Sequence, residues 1–208
     1  MPETRALHWT AQQQELHDMA SRAHDLIRRH RYTVEEYQRM GEAGIFSADD
    51  RVELIEGEIA EMAPIGSRHA GTVKQLGALV MKALAGHAIV SVQDPIVLGP
   101  RSAPQPDLAL LRARDDFYKA SHPQAQDVLL VIEVADTTQR YDRQVKVPLY
   151  ARHGIPEVWL VDLESNALVV FRDPSADGYR SEARVADLGA VPVKGIPGIT
   201  VDLRALFG

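Results

Sequence analysis

Glu133 is the first residue in this chain that asks for a chemical explanation. It stands in the run Val128-Leu-Leu-Val-Ile-Glu-Val134, where an isolated ionised carboxylate would be costly enough to shift its pKa or recruit a positive partner. A hard divalent cation is one such partner, because it takes carboxylate oxygens as ligands. The alternative is a strand-end acid that reaches solvent or pairs with an arginine. Asp107 strengthens the metal reading. It opens the preceding apolar run, in Gln105-Pro-Asp-Leu-Ala-Leu-Leu111, and two acids on neighbouring strands can converge where the strands splay. Lys146 is the third candidate. An ammonium beside a metal-bound phosphate could orient or help deprotonate an attacking water and offset charge building on the phosphoryl oxygens. Its plainer reading is an exposed pair with Asp142, one helical turn away.

Other chemistries find little support. The sequence has no Gly-x-Ser-x-Gly elbow, no phosphate-cradling Gly-x-x-x-x-Gly-Lys-Ser/Thr and no Gly-x-Gly-x-x-Gly after a strand. No histidine pair has the i, i+4 spacing of a zinc protease. His69, in the first turn of a long helix, could face an active site or simply be exposed. There is no cysteine, which excludes disulfides and thiolate chemistry and suits a reducing cytoplasm. The net charge of −6 is an awkward sign for a nucleic-acid binder, since phosphate neutralisation normally supplies much of the affinity. No apolar stretch is long enough to span a bilayer, and no signal-peptide pattern opens the chain.

The elements that must position these residues can be read from periodicity. Residues from about Thr10 to Arg29 place Leu16, Met19, Ala23 and Leu26 on one stripe of an amphipathic helix, a docking or dimer face. A second helix starts at Thr33, with Glu36 completing a capping box, and stops near Gly44. Arg51 to Met62 reads as a hairpin turning at Glu56-Gly57. Ser67 is expected to cap a long helix ending at Gly86. Strands are expected at about Ala88–Leu98, Pro106–Leu111, Val128–Val134 and Glu157–Asp162, with a helix from about Arg140 to His153 between the last two. That order implies a parallel crossover, and the unbroken apolar runs imply strands covered on both faces. A hairpin from Ala167–Arg172 to Tyr179–Val185 and a short terminal helix after Val201 complete the expected elements. The expected division is an N-terminal helical extension, 1–31, and one α/β domain, 32–208.

The strings VELIEGEI, PIGSRH, PQPDLALL and LLVIEVADTTQRYDRQVKVPLYARHGIPEVWLVD resemble the Uma-type restriction endonuclease family, a branch of the PD-(D/E)XK nuclease superfamily. The resemblance covers roughly residues 32 to 185. It implies the restriction-endonuclease-like fold, a mixed central sheet flanked by helices. It also implies an endonuclease using Mg²⁺ or Mn²⁺ to hydrolyse DNA phosphodiesters, with Asp107 and Glu133 as metal ligands. In the superfamily pattern a lysine follows the strand acid by two residues; here Ala135 holds that place. Members of the family carry the lysine on the following helix instead, where Lys146 matches. Glu53 and His69 match recurrent family positions and are expected to complete the site. A homodimer would let two sites cut both strands of a duplex. The rival expectation, favoured by Ala135, is a catalytically inactive nuclease fold that binds DNA or a protein partner. The amphipathic N-terminal stripe suggests a third possibility, an assembly protein.

Overall fold

A computed structural model describes residues 29–47, 49–136 and 141–207. The chain divides into two units, Met1–Arg31 and Tyr32–Gly208. The stripe expected over Thr10 to Arg29 falls almost wholly outside the described residues, and the elements below belong to the second unit.

Helix α1 spans Val34–Glu42, and Thr33 caps it with both halves of the reciprocal box in place: Glu36 N–H donates to the Thr33 hydroxyl at 3.1 Å and Thr33 N–H to the Glu36 carboxylate at 2.8 Å. Strands β1 (Val52–Ile55) and β2 (Glu58–Glu61) form the expected hairpin. Its two turn residues, Glu56 and Gly57, have φ of 50° and 83°, the left-handed pair of a tight hairpin turn whose twist matches the flanking strands. Helix α2 covers Ser67–Leu84. Ser67 is its first residue, not its cap; Gly66 stands at the N-cap and offers no side chain.

A six-stranded mixed sheet organises the rest, in the order β3 (Ile89–Val92), β4 (Leu108–Leu111), β5 (Val128–Ala135), β6 (Glu157–Asp162), β7 (Ala167–Ser175) and β8 (Gly178–Arg184). Strand β3 is shorter than expected, ending at Val92. Within this sheet β5 and β6 pair in parallel and the other neighbours antiparallel, as the helix between β5 and β6 requires. All eight residues of β5 and all six of β6 are buried, so the apolar runs do mark strands covered on both faces. One face packs Leu108, Leu130, Ile132 and Trp159 against Val73, Leu76 and Val80 of α2. The other packs Ala109, Val131, Ala135 and Leu160 against Val147, Leu149 and Tyr150. Burying each large apolar side chain contributes about 1.5–3 kcal/mol.

Two helices depart from expectation. The chain after Val201 forms turns, following a short ladder of β9 (Val191–Pro192) with β10 (Thr200–Val201). The expected helix from Arg140 to His153 is in two parts: a wide π turn over Asp142–Lys146, then helix α3 over Val147–Arg152. Val147 N–H reaches back five residues to the Asp142 carbonyl. Pro148 explains the break. It lacks an N–H, and in a regular helix its ring would press on the carbonyl four residues earlier; near a helix start neither is a problem.

Candidate active site

Antiparallel pairing of β4 with β5 sets Leu108 opposite Ile132, and one residue upstream Asp107 faces Glu133. Alternation along β5 points Glu133, like Val131 and Ala135, toward the face covered by α3. Both acids are buried, 8% and 2% exposed. They line a cavity of about 700 Å³ together with Glu53, His69, Gln105, Tyr141 and Lys146. All five residues expected from the sequence (Glu53, His69, Asp107, Glu133 and Lys146) therefore meet in one place. Glu53 comes from β1, His69 from α2, Asp107 from the edge of β4, Glu133 from β5 and Lys146 from the π turn.

Lys146 is 4% exposed, which removes its reading as a surface pair with Asp142. Its ammonium lies 2.8 Å from Glu133 Oε1 and 3.5 Å from Glu53 Oε2. Burial opposes its charge, but Glu133, Glu53 and Asp142 outweigh that and raise its pKa further above the ordinary lysine value. Lys146 is thus an ammonium at neutral pH, a donor rather than a proton acceptor. Glu133 Oε1 also accepts from the Tyr150 hydroxyl at 2.5 Å. Its other oxygen, Oε2, has a long contact, 3.4 Å, with Asp107 N–H. Burial pushes Glu133 up to about 8 against the pull of Lys146, with Asp142 and Asp107 adding to the rise.

Asp107 is tuned the opposite way. Burial alone would raise it, yet its hydrogen bonds hold it below its ordinary value. Oδ2 accepts from Val134 N–H at 2.9 Å and contacts His69 Nε2 at 3.1 Å; Oδ1 accepts from Gln93 Nε2 at 3.1 Å. His69 is raised in turn, first by its hydrogen bond to Asp107, and its buried Nδ1 has no hydrogen-bond partner among the described residues. Glu53 accepts from Gln105 N–H at 3.1 Å and from the Tyr141 hydroxyl at 3.3 Å.

Four buried carboxylates, those of Glu53, Asp107, Glu133 and Asp142, thus line one cavity with the buried Lys146 ammonium, and His69 stands beside Asp107. Such an excess of oxygen donors suits a hard divalent cation. Among the described residues no group of three or more acidic or histidine side chains is arranged to enclose an ion by itself. Two carboxylates with water and substrate oxygens would be an ordinary magnesium environment.

Tyr150 and Gln93 carry no sequence signal as site residues. Tyr150 reads only as a neighbour of Lys146 one turn along, flanking the apolar stripe of Val145 and Leu149; only the tertiary fold brings its hydroxyl to Glu133. Gln93 falls inside the strand expected over Ala88–Leu98, next to Asp94, and nothing in that setting marks it.

No described helix is long and apolar enough to cross a membrane. A search of curated proteins gave no match. Among solved structures, a crystal structure described as a putative nuclease belonging to DUF820, from Anabaena variabilis ATCC 29413, aligns with a TM-score of 0.63 at 15% identity, over 84% of this chain and 97% of that one. At that identity the likeness establishes the fold. The sequence profile of Uma2, described as "Putative restriction endonuclease", matches residues 34–204. That span takes in every element holding the acids and the lysine, and the chain belongs to the Uma2 family.

Proposed function

We propose that this protein is a metal-dependent endonuclease that hydrolyses DNA phosphodiester bonds. The observation that carries the reading is that Asp107 lines one cavity with Glu133 and Glu53, the two carboxylates in contact with the Lys146 ammonium. Asp107 and Glu133 would hold Mg²⁺ or Mn²⁺. Such an ion, when bound, acidifies a water and polarises a phosphoryl oxygen. Lys146, buried in contact with Glu133 and Glu53, orients the attacking water and offsets negative charge gathering on the phosphoryl oxygens. Glu53 keeps that ammonium in place, and His69 braces Asp107. Ala135, packed in the core at 0% exposure, leaves the usual strand position without a cation; the lysine of the following π turn supplies one from above the sheet.

The test is cleavage of plasmid DNA with Mg²⁺ or Mn²⁺ by wild type, Asp107→Ala and Lys146→Ala. Wild type is expected to nick or linearise the plasmid, and each variant to lose at least about a hundredfold in rate. A wild type that leaves every duplex intact, or variants that cut equally well, would sink the enzymatic reading. Binding without cutting would then favour the second reading, a silent nuclease fold, for which Ala135 is the motivating residue.

Tyr150→Phe provides a finer check. The change keeps the ring in the core and removes only the hydroxyl bound to Glu133. Loss of a group that orients a ligand typically lowers metal affinity or activity about 10–100-fold. Expected here is a rightward shift of about tenfold in the Mn²⁺ concentration for half-maximal cleavage. An unchanged metal dependence would mean that Lys146 alone suffices to orient Glu133.

A further inference from the structure

Gln93 is one of seven described non-glycine residues whose backbone φ is positive. It follows the last residue of β3, and its backbone φ is 55°, in the left-handed region that side chains with a Cβ rarely adopt. No glycine replaces it there, although glycine would take this conformation without strain. What the strained backbone secures is a reach. Gln93 N–H donates to the Asp107 carbonyl at 3.2 Å, and its side-chain Nε2 donates to Asp107 Oδ1 at 3.1 Å. Only the NH₂ end of the amide can face a carboxylate. Gln93 is not among the residues that line the cavity; it holds Asp107 from behind that lining.

We infer that Gln93 is a positioning residue, which fixes the Asp107 carboxylate in the rotation that presents it to a divalent cation. This rests on the metal-dependent reading of the site. The division of labour on Asp107 supports it. Oδ2 is committed to Val134 N–H and His69, whereas Oδ1 is held by the Gln93 amide. A carboxylate oxygen with one such donor keeps a lone pair for a cation. Removing the amide frees Oδ1 and leaves the carboxylate easier to turn about its Cβ–Cγ bond. Strain at a site held in place by its surroundings is a recognised device of pre-organisation.

The strain supplies a test that separates positioning from packing. Gln93→Gly relieves the left-handed backbone while deleting the donor; Gln93→Met keeps the length and the strain and deletes the donor. Mn²⁺ binding by each folded variant is measured by calorimetry, without substrate, alongside thermal melting. Both variants are expected to bind Mn²⁺ about tenfold more weakly. Gln93→Gly should melt within about 2–4 °C of wild type, because relief of strain offsets the added freedom of the unfolded chain. Affinities within about twofold of wild type, or losses that merely track lower melting temperatures, overturn the inference.

A second measurement needs no metal. In the ¹H–¹⁵N spectrum of the metal-free protein, the Gln93 side-chain NH₂ pair should be widely split and protected, and Asp107→Ala, which removes the acceptor, should collapse the splitting. If wild type binds no Mn²⁺, the metal reading fails and this spectrum decides the contact: a persistent splitting in Asp107→Ala removes the positioning role as well.

Discussion

Glu133→Gln is expected to abolish metal-dependent cleavage, by about a thousandfold or more, while leaving the metal-free protein no less stable at pH 8. The two effects have one cause. Glu133 is buried with its pKa pushed from an ordinary 4.5 up to about 8, burial being the largest contribution. A folded-state pKa above the unfolded value means that the group's favourable contribution to stability is complete below 4.5 and is lost as pH rises through about 8. Ionised Glu133 is thus a burden on the empty site and an asset once a cation offsets it. The amide introduced by the substitution keeps the shape and still offers an oxygen to Lys146 and Tyr150, but it never carries the charge. Melting curves of wild type and variant, with EDTA and with Mn²⁺ at pH 6 and pH 8, check the point. Wild type should gain more from Mn²⁺ at pH 8 than at pH 6, since at pH 6 a proton must leave first. The variant should gain little at either. A variant that melts well below wild type at pH 8 in EDTA would contradict the account.

Glu157→Ala is expected to cost about 3–5 kcal/mol of stability, on the order of 10 °C in melting temperature for a domain of this size, without changing cleavage per folded molecule. Glu157 is completely buried and gathers four donors. Arg172 approaches Oε1 through Nε at 2.8 Å and Nη2 at 2.6 Å, Trp159 Nε1 at 3.1 Å, and Lys194 N–H meets Oε2 at 2.8 Å. Arg172 also donates to the Pro192 carbonyl at 3.0 Å. The carboxylate therefore clamps the segment around β9 onto the sheet. Truncating it strands a guanidinium, an indole N–H and a backbone N–H at once. It stands three residues before Leu160, the parallel neighbour of Glu133, and on the opposite sheet face, so the catalytic geometry should survive. A shift below about 2 °C would mean that water takes over the four bonds.

How much of this is legible in the sequence depends on the range of the interaction concerned. Thr33 with Glu36, and Glu56 with Gly57, are local signals and both appear as read. Buried strands announce themselves by unbroken apolar runs, which is why the charge of Glu133 stands out and why Asp107, opening the preceding run, can be paired with it. Lys146 needs the family resemblance, since a lysine on a helix is ordinarily a surface residue. Pro148 is the sequence trace of the wide turn, but a proline marks an interruption without giving its kind. Gln93, Tyr150 and the Glu157 clamp join residues 14 to 37 positions apart, and no periodicity encodes such meetings. The short β9–β10 ladder escapes for a different reason: its strands are too brief to leave a pattern.

The π turn from Asp142 to Lys146 carries a geometric consequence. A helix is a gear with about 100° per tooth, and one extra residue in a turn resets the phase of everything beyond it. Here the reset lets the chain serve two masters: Leu149 and Tyr150 mesh with the sheet, while Lys146 is dialled onto Glu133 and Glu53. Deleting a single residue from the turn would leave every side chain chemically intact and swing the lysine by about that one tooth relative to α3. The site's charge balance is, in this sense, a matter of counting.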